Sequence, residues 1–232
     1  KTGTTVTFKP DKEIFKETTK FNFDTLSTRL RELAFLNKGI TIVLKDERQN
    51  KENLFHYEGG IISFIDHLNK NKTPLHKKAI YLSKDKDGIS VEVAMQYNDG
   101  YAENIFTFAN TINTVDGGTH LTGFKSALTR TLNQYCRNKK YLKDGSSLSG
   151  DDTREGLTAV INVKLPNPQF EGQTKAKLGN SEVEGVVESA INEMLGSFLE
   201  QNPSVGNKVV DKCVLAAKAR DAARKARELT RR

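Results

Sequence analysis

The sequence predicts an α+β protein of two domains, and three observations carry that prediction. Strand and helix patterns alternate along the 232 residues without a strict βαβ rhythm, as expected of a mixed or antiparallel sheet covered by helices. The cleanest period of two runs over residues 89–97, where Ile89, Val91, Val93, Met95 and Tyr97 alternate with Ser90, Glu92, Ala94 and Gln96. Two long helical patterns, separated by Pro203, close the chain. Such a length holds two ordinary domains whose cores fold without disulfide staples. Glu58-Gly59-Gly60 interrupts the patterning and sets the boundary, giving domains over residues 1–58 and 59–232.

In the first domain, Thr4-Thr5-Val6-Thr7-Phe8 reads as a strand, and Pro10-Asp11 as a turn and helix start. Asp24 is placed to cap a helix over 25–37, with Leu26, Leu30, Leu33 and Leu36 at helical spacing and Gly39 positioned to end it. Residues 40–45 and 54–57 read as strands around a polar turn, 46–53.

Past the glycine pair, Ile61, Ile62, Ile65 and Leu68 make a short helix, and residues 79–82 a strand. The alternating run 89–97 meets turn chemistry at Asn98-Asp99-Gly100 and returns over 103–109, so an antiparallel hairpin with one buried face is expected. Gly117-Gly118-Thr119-His120 opens a helix with Leu121, Phe124, Leu128, Leu132 and Tyr135 on one face. Its glycines either offer backbone amides to an anion or permit close packing against a strand, and packing is the commoner use. After a polar loop, 143–152, comes a strand over 159–165 with Ala159, Ile161, Val163 and Leu165 inward. A helix opened by Asn180 and Ser181 then carries Val187, Ile191, Leu195 and Phe198 on one side.

Between these last two elements lies Pro166-Asn167-Pro168-Gln169-Phe170-Glu171-Gly172-Gln173-Thr174-Lys175. Two prolines forbid a continuing ladder, Gly172 permits a sharp reversal, and Gln173 and Lys175 follow it with an amide and an ammonium. That pair suits a phosphoryl group, donating hydrogen bonds and one compact positive charge. A solvated loop explains the same ten residues. No glycine run ending in Lys-Ser or Lys-Thr and no serine nucleophile elbow accompanies them. The four histidines show no metal-ligand spacing, so no metal site is expected.

Cys136 and Cys213 lie in helical patterns without redox or metal spacing, which fits a reducing compartment. No apolar run reaches membrane-spanning length and no signal peptide is visible, so a cytoplasmic protein without a membrane partner is expected. The net charge is +7, and from residue 207 onward nine basic residues face three acidic ones. A basic helical tail of this kind is either a solvated face or a nucleic-acid surface. The chain opens inside a strand-like run without Met and ends inside a helical pattern, as expected of a piece of a longer polypeptide.

Gln173-Thr174-Lys175, with Gly150-Asp151-Asp152-Thr153-Arg154-Glu155-Gly156-Leu157 before it, resembles the bacterial DNA gyrase B family. So do Arg29-Leu30-Arg31-Glu32-Leu33, Tyr57-Glu58-Gly59-Gly60, Tyr97-Asn98-Asp99-Gly100-Tyr101, Gly117-Gly118-Thr119-His120 and the ending from Ala222 to Arg232. These motifs cover essentially the whole chain in the family's order.

The resemblance implies a partial GHKL-type ATPase domain over 1–58, followed by a ribosomal protein S5 domain 2-like transducer domain over 59–232 with long C-terminal helices. It implies a part of the ATPase and transducer half of an ATP-dependent type II topoisomerase, which couples ATP binding and hydrolysis to DNA strand passage and negative supercoiling. Lys175 is implied as a catalytic contact to the ATP γ-phosphate, Gln173 as its hydrogen-bonding neighbour, and Thr4 as a border of the adenine pocket. The cofactor implied is ATP with Mg²⁺, whose ligand lies upstream of Lys1 with the rest of the pocket, so this chain alone is expected to be inactive. Implied partners are double-stranded DNA, the A subunit of gyrase, a second copy of the B subunit, and the missing amino-terminal ATPase segment. Lys125, Arg130, Arg220, Arg224 and Arg227 become candidates for DNA phosphate contacts. The B-type subunit of topoisomerase IV is the near alternative, and a stand-alone nucleic-acid-binding module the alternative of another class.

Overall fold

A computed structural model describes residues 2–6, 10–143 and 145–231. The chain forms two compact units, Lys1–Tyr57 and Glu58–Arg232.

The first unit holds helix α1 (Phe23–Leu36) and strands β1 (Thr41–Asp46) and β2 (Lys51–His56). The strands pair antiparallel, from Thr41 opposite His56 to Asp46 opposite Lys51. Asn22, not Asp24, caps the helix. Its extended backbone turns the side chain toward the first turn, where Oδ1 accepts the Thr25 N–H at 2.9 Å. Asp24 sits inside that turn, where a carboxylate favours the helix dipole. The leucine stripe is only partly covered: Leu36 is buried with Ser27, Ala34 and Phe35, while Leu26, Leu30 and Leu33 are half-buried. A two-stranded hairpin covers only part of a 14-residue helix. Thr4, Thr5 and Val6 belong to no strand, and Thr7 and Phe8 lie outside the described residues. The expected helix start after Pro10 is a single turn, in which the Asp11 carboxylate accepts the Glu13 N–H at 2.8 Å.

In the second unit the elements run α2 (Ile61–Leu68), β3 (Ile80–Lys86), β4 (Ile89–Tyr97), β5 (Asn104–Ala109), β6 (Ile112–Asn113) and α3 (Thr119–Asn138). Then follow α4 (Gly150–Arg154), β7 (Leu157–Lys164), α5 (Ser181–Gln201) and α6 (Pro203–Thr230). The five strands are ordered β3-β4-β7-β5-β6, and all neighbours are antiparallel except β5 and β7.

This order corrects the hairpin expected over 89–109. β5 does reverse the direction of β4, but β7 takes the place between them, pairing Val93 with Ile161 on one side and Ile161 with Thr107 on the other. The reason is burial. Residues Leu157 to Val163 are buried on both faces, and such a strand is stable only at the centre of a covered sheet. The Asn98 turn serves a crossover instead, its carboxamide oxygen accepting the Gly100 N–H at 2.9 Å.

One face of the sheet, carrying Val91, Val93, Met95, Ala159, Ile161 and Val163, packs under α3, α5 and α6. Phe124, Leu128 and Leu132 of α3, Val187, Ile191 and Leu195 of α5, and Val209 and Val210 of α6 complete this core. Toward the other face, Phe64 of α2 lies 6.0 and 6.1 Å from the Phe106 and Phe108 rings. A buried polar chain accompanies that layer. Lys72 donates to Thr158, Thr158 to the Asn69 carboxamide oxygen, Asn69 to Gln96, and Gln96 to the His76 carbonyl. Here the polar and apolar alternation of β4 ceases to mean outside and inside, because Gln96 is buried with both ends of its amide engaged along the chain. Residues 143–152, expected to be a loop, end instead in α4, whose start is a reciprocal cap between Ser149 and Asp152.

His120, at the start of α3, is fully buried with Nε2 3.0 Å from the Thr114 hydroxyl, and burial pushes its pKa down to about 4. An unfolded imidazole gains a proton near pH 6.5, so the native state binds fewer protons between pH 6.5 and about 4. Stability is therefore full above that window and is lost as pH falls through it, by up to about 3 kcal/mol. Urea denaturation at pH 7 and pH 4.5 checks this, alongside NMR titration of the imidazole. An ordinary titration near 6.5 would exclude it.

Candidate functional site

The loop after β7 is a short finger rather than an irregular coil. Its outgoing limb leaves β7 where Leu165 is fixed by Asn110, which accepts the Leu165 N–H and donates to its carbonyl, both at 2.8 Å. The two limbs then pair across the finger: Glu171 N–H donates to the Lys177 carbonyl at 2.9 Å and Gly179 N–H to the Gln169 carbonyl at 2.8 Å. Between them Phe170 and Leu178 form an antiparallel bridge. The returning limb docks along the segment that opens α3. Asp116 N–H donates to Ala176, Leu178 N–H to Gly117, and Thr119 N–H to Leu178.

That docking settles the use of the glycine pair. A Cβ on Gly118 would lie 2.2 Å from the Leu178 carbonyl oxygen, so the glycine permits a backbone approach no other residue allows. Leu178 itself belongs to the core. The finger is thus rooted in packed structure while its tip is not.

The tip is a tight turn in which Lys175 N–H faces the Gly172 carbonyl at 3.3 Å, with Gly172 at φ 76°. Lys175 has φ 54°, a left-handed conformation that is uncommon and unfavourable for a side chain of this type. Gln173, Thr174 and Lys175 are all exposed. Among the described residues, neither the Gln173 amide nor the Lys175 ammonium has a hydrogen-bond or ion-pair partner. Lys177, two residues on, is held by Glu171 at 3.0 Å. The fingertip therefore offers one amide and one uncommitted cation on a braced support.

Thr4 lies exposed in the first unit, outside any helix or strand. The five basic candidates differ among themselves. Lys125 is paired with Glu103 at 2.7 Å, and Arg130 with Glu188 at 3.0 Å. Arg220 grips the buried Asp152 carboxylate with two bonds of 3.0 Å, and this guanidinium lowers the Asp152 pKa against the opposing effect of burial. Arg224 is 3.6 Å from Asp221. Arg227 is exposed, and no side-chain ion pair holds it among the described residues. Two structurally decisive residues escaped the sequence reading. Asp152 was foreshadowed by its spacing three residues after Ser149, a capping signal. Asn180 was legible only as a helix opener, whereas its side chain turns back onto the finger.

The fold is that of the ATPase-region structures solved for bacterial gyrase B and topoisomerase IV. The 43K ATPase domain of Thermus thermophilus gyrase B, solved with an aminocoumarin, superposes with a TM-score of 0.83 at 44% identity, over 95% of this chain and 59% of that one. The topoisomerase IV ATP-binding domain of Francisella tularensis, solved with a small-molecule inhibitor, gives 0.75 at 28% identity over 88% and 55%. The family model for DNA gyrase B matches residues 60–229. The DNA gyrase B subunit of Clostridium acetobutylicum is 60% identical over 99% of this chain and 36% of its own length, and that of Bacillus mycoides 56% over 100% and 58%. The chain belongs to the DNA gyrase B family. It spans between about a third and somewhat over half of these relatives. The matches favour the gyrase reading over topoisomerase IV and over a stand-alone nucleic-acid module. No helix among the described residues is long and apolar enough to cross a membrane.

Proposed function

We propose that this chain is part of the ATPase and transducer half of an ATP-dependent type II DNA topoisomerase of the gyrase kind, in which the fingertip senses and stabilises the ATP γ-phosphate. The observation that carries the proposal is the uncommitted Gln173 and Lys175 pair on a braced, exposed turn. An ammonium supplies compact charge to the oxygens of a transferring phosphoryl group, and an amide adds an oriented hydrogen bond. The left-handed backbone at Lys175 supports the same reading, since strain of about 1–3 kcal/mol persists where the surroundings and function hold it.

Residues 1–58 are assigned to the GHKL-type ATPase domain, with Thr4 beside the adenine, and residues 59–232 to the transducer. ATP with Mg²⁺ is the nucleotide species. No residue of this chain is assigned to Mg²⁺, which a protein holds through one or two carboxylates together with the nucleotide phosphates. When the γ-phosphate is engaged, the finger is drawn toward it and carries the start of α3 along through Leu178; release lets it relax. The outcome in the whole enzyme is DNA strand passage and negative supercoiling. Its partners there are the gyrase A subunit, a second B subunit, and double-stranded DNA, in the cytoplasm. Arg227 is the candidate most ready for a DNA phosphate, while Lys125, Arg130, Arg220 and Arg224 must first exchange their carboxylates.

Steady-state ATP hydrolysis by the full-length protein tests the assignment. Gln173→Ala is expected to lower kcat about tenfold, the loss of roughly one hydrogen bond to a charged group. Lys177→Ala, at the paired base of the same finger, should leave kcat within about twofold. Equal turnover in both variants and the parent would refute the fingertip's role.

A further inference from the structure

Asn180 immediately precedes α5, yet it makes no side-chain bond to that helix's backbone amides, the usual task of asparagine in this position. Its carboxamide is turned the other way. Oδ1 accepts the Gln169 N–H at 2.6 Å, and Nδ2 donates to the Asn167 carbonyl at 3.1 Å and to Glu182 at 2.8 Å. The residue is 3% exposed. One buried side chain thus ties the outgoing limb of the finger at two backbone positions, and Glu182, in the first turn of α5, fixes which way the amide faces. The returning limb is already seated on α3 through Leu178. Without Asn180 the outgoing limb would keep its cross-bonds to the returning limb, the Asn110 clamp at Leu165 and the packing of Phe170 against the core, but lose its side-chain tie to the start of α5.

We infer that Asn180 is a positioning residue for the Gln173 and Lys175 fingertip, coupling the finger to the first turn of α5. This deepens the nucleotide reading of the fingertip and rests on it. A donor displaced by about an ångström from its reacting partner loses most of its effect on rate. Asn180 touches no nucleotide itself, and the fingertip contact it positions matters most as charge develops on the phosphoryl group, so turnover should suffer far more than apparent affinity.

The test is ATP hydrolysis by the full-length protein in a four-member cycle of parent, Asn180→Ala, Lys175→Ala and the double variant. Asn180→Ala is expected to lower kcat about tenfold with the KM for ATP within twofold. In the Lys175→Ala background the same change should have a clearly smaller effect, because only the Gln173 contact is left for it to misplace. An unchanged kcat for Asn180→Ala beside an impaired Lys175→Ala overturns the positioning role alone, as does the same fractional loss in both backgrounds. Full turnover by Lys175→Ala defeats the nucleotide reading instead. Should the alanine variant fail to fold, Asn180→Asp, which keeps the acceptor toward Gln169 but loses the donor toward Asn167 and sets a second carboxylate against Glu182, is read in the same cycle with the same outcomes.

Discussion

Full-length protein carrying Lys175→Ala is expected to hydrolyse ATP about 10²–10³ times more slowly than the parent, the scale for losing one preorganised donor at developing charge, about 2.7–4 kcal/mol. The side chain is exposed, unpaired among the described residues and carried on a turn braced from both limbs, so its removal should disturb little else. Thermal stability should accordingly stay within about 1 kcal/mol of the parent, a result that separates lost chemistry from lost folding. Lys175→Arg should recover only part of the rate, because a planar fork on a longer stem does not reproduce a compact ammonium. Parental kcat in the alanine variant would remove Lys175 from the reaction altogether.

Gly118→Ala should be the most damaging single methyl in the second unit. The added carbon would lie 2.2 Å from the carbonyl oxygen and 2.5 Å from the nitrogen of Leu178, and both are backbone atoms that cannot rotate aside. The glycine also has φ 127°, where an L side chain is strained whatever the space around it. Overpacking and backbone strain together are expected to cost about 4 kcal/mol. For a unit of this size that corresponds to a fall in Tm of roughly 10 °C. Amide exchange across the finger should quicken in the same variant, because Leu178 is the root of the returning limb. A Tm within a degree or two of the parent would show that the contact is not needed.

These two residues also illustrate what the sequence discloses. Lys175 was legible because prolines, a glycine and two long polar side chains make a turn whatever surrounds it. Gly118 was legible as a close-packing residue, but its partner Leu178, far along the chain, was not. The same limit explains the strand order. Local alternation placed β4 and a reversal at Asn98, and nothing local announces that a later strand will enter between β4 and β5. The clue was present in β7 itself, apolar at most positions and therefore a central strand. Buried amides are harder still. Gln96 and Asn180 read as surface residues by type, and only their tertiary partners make burial tolerable. In the first unit, Asn22 took the capping task from Asp24 because a boundary shift of about two residues lies within what periodicity resolves.

Beyond the clasp between Arg220 and Asp152, α6 continues with residues 222–231 exposed on every side. That stretch is helical through the preferences of Ala, Arg, Lys, Glu and Leu rather than through packing. A helix of 28 residues is a rod of about 42 Å, and a tilt of about ten degrees at its root would swing the far end by roughly 7 Å. Small motions of the body are thus geared up at the tip, in the manner of a pointer on a dial.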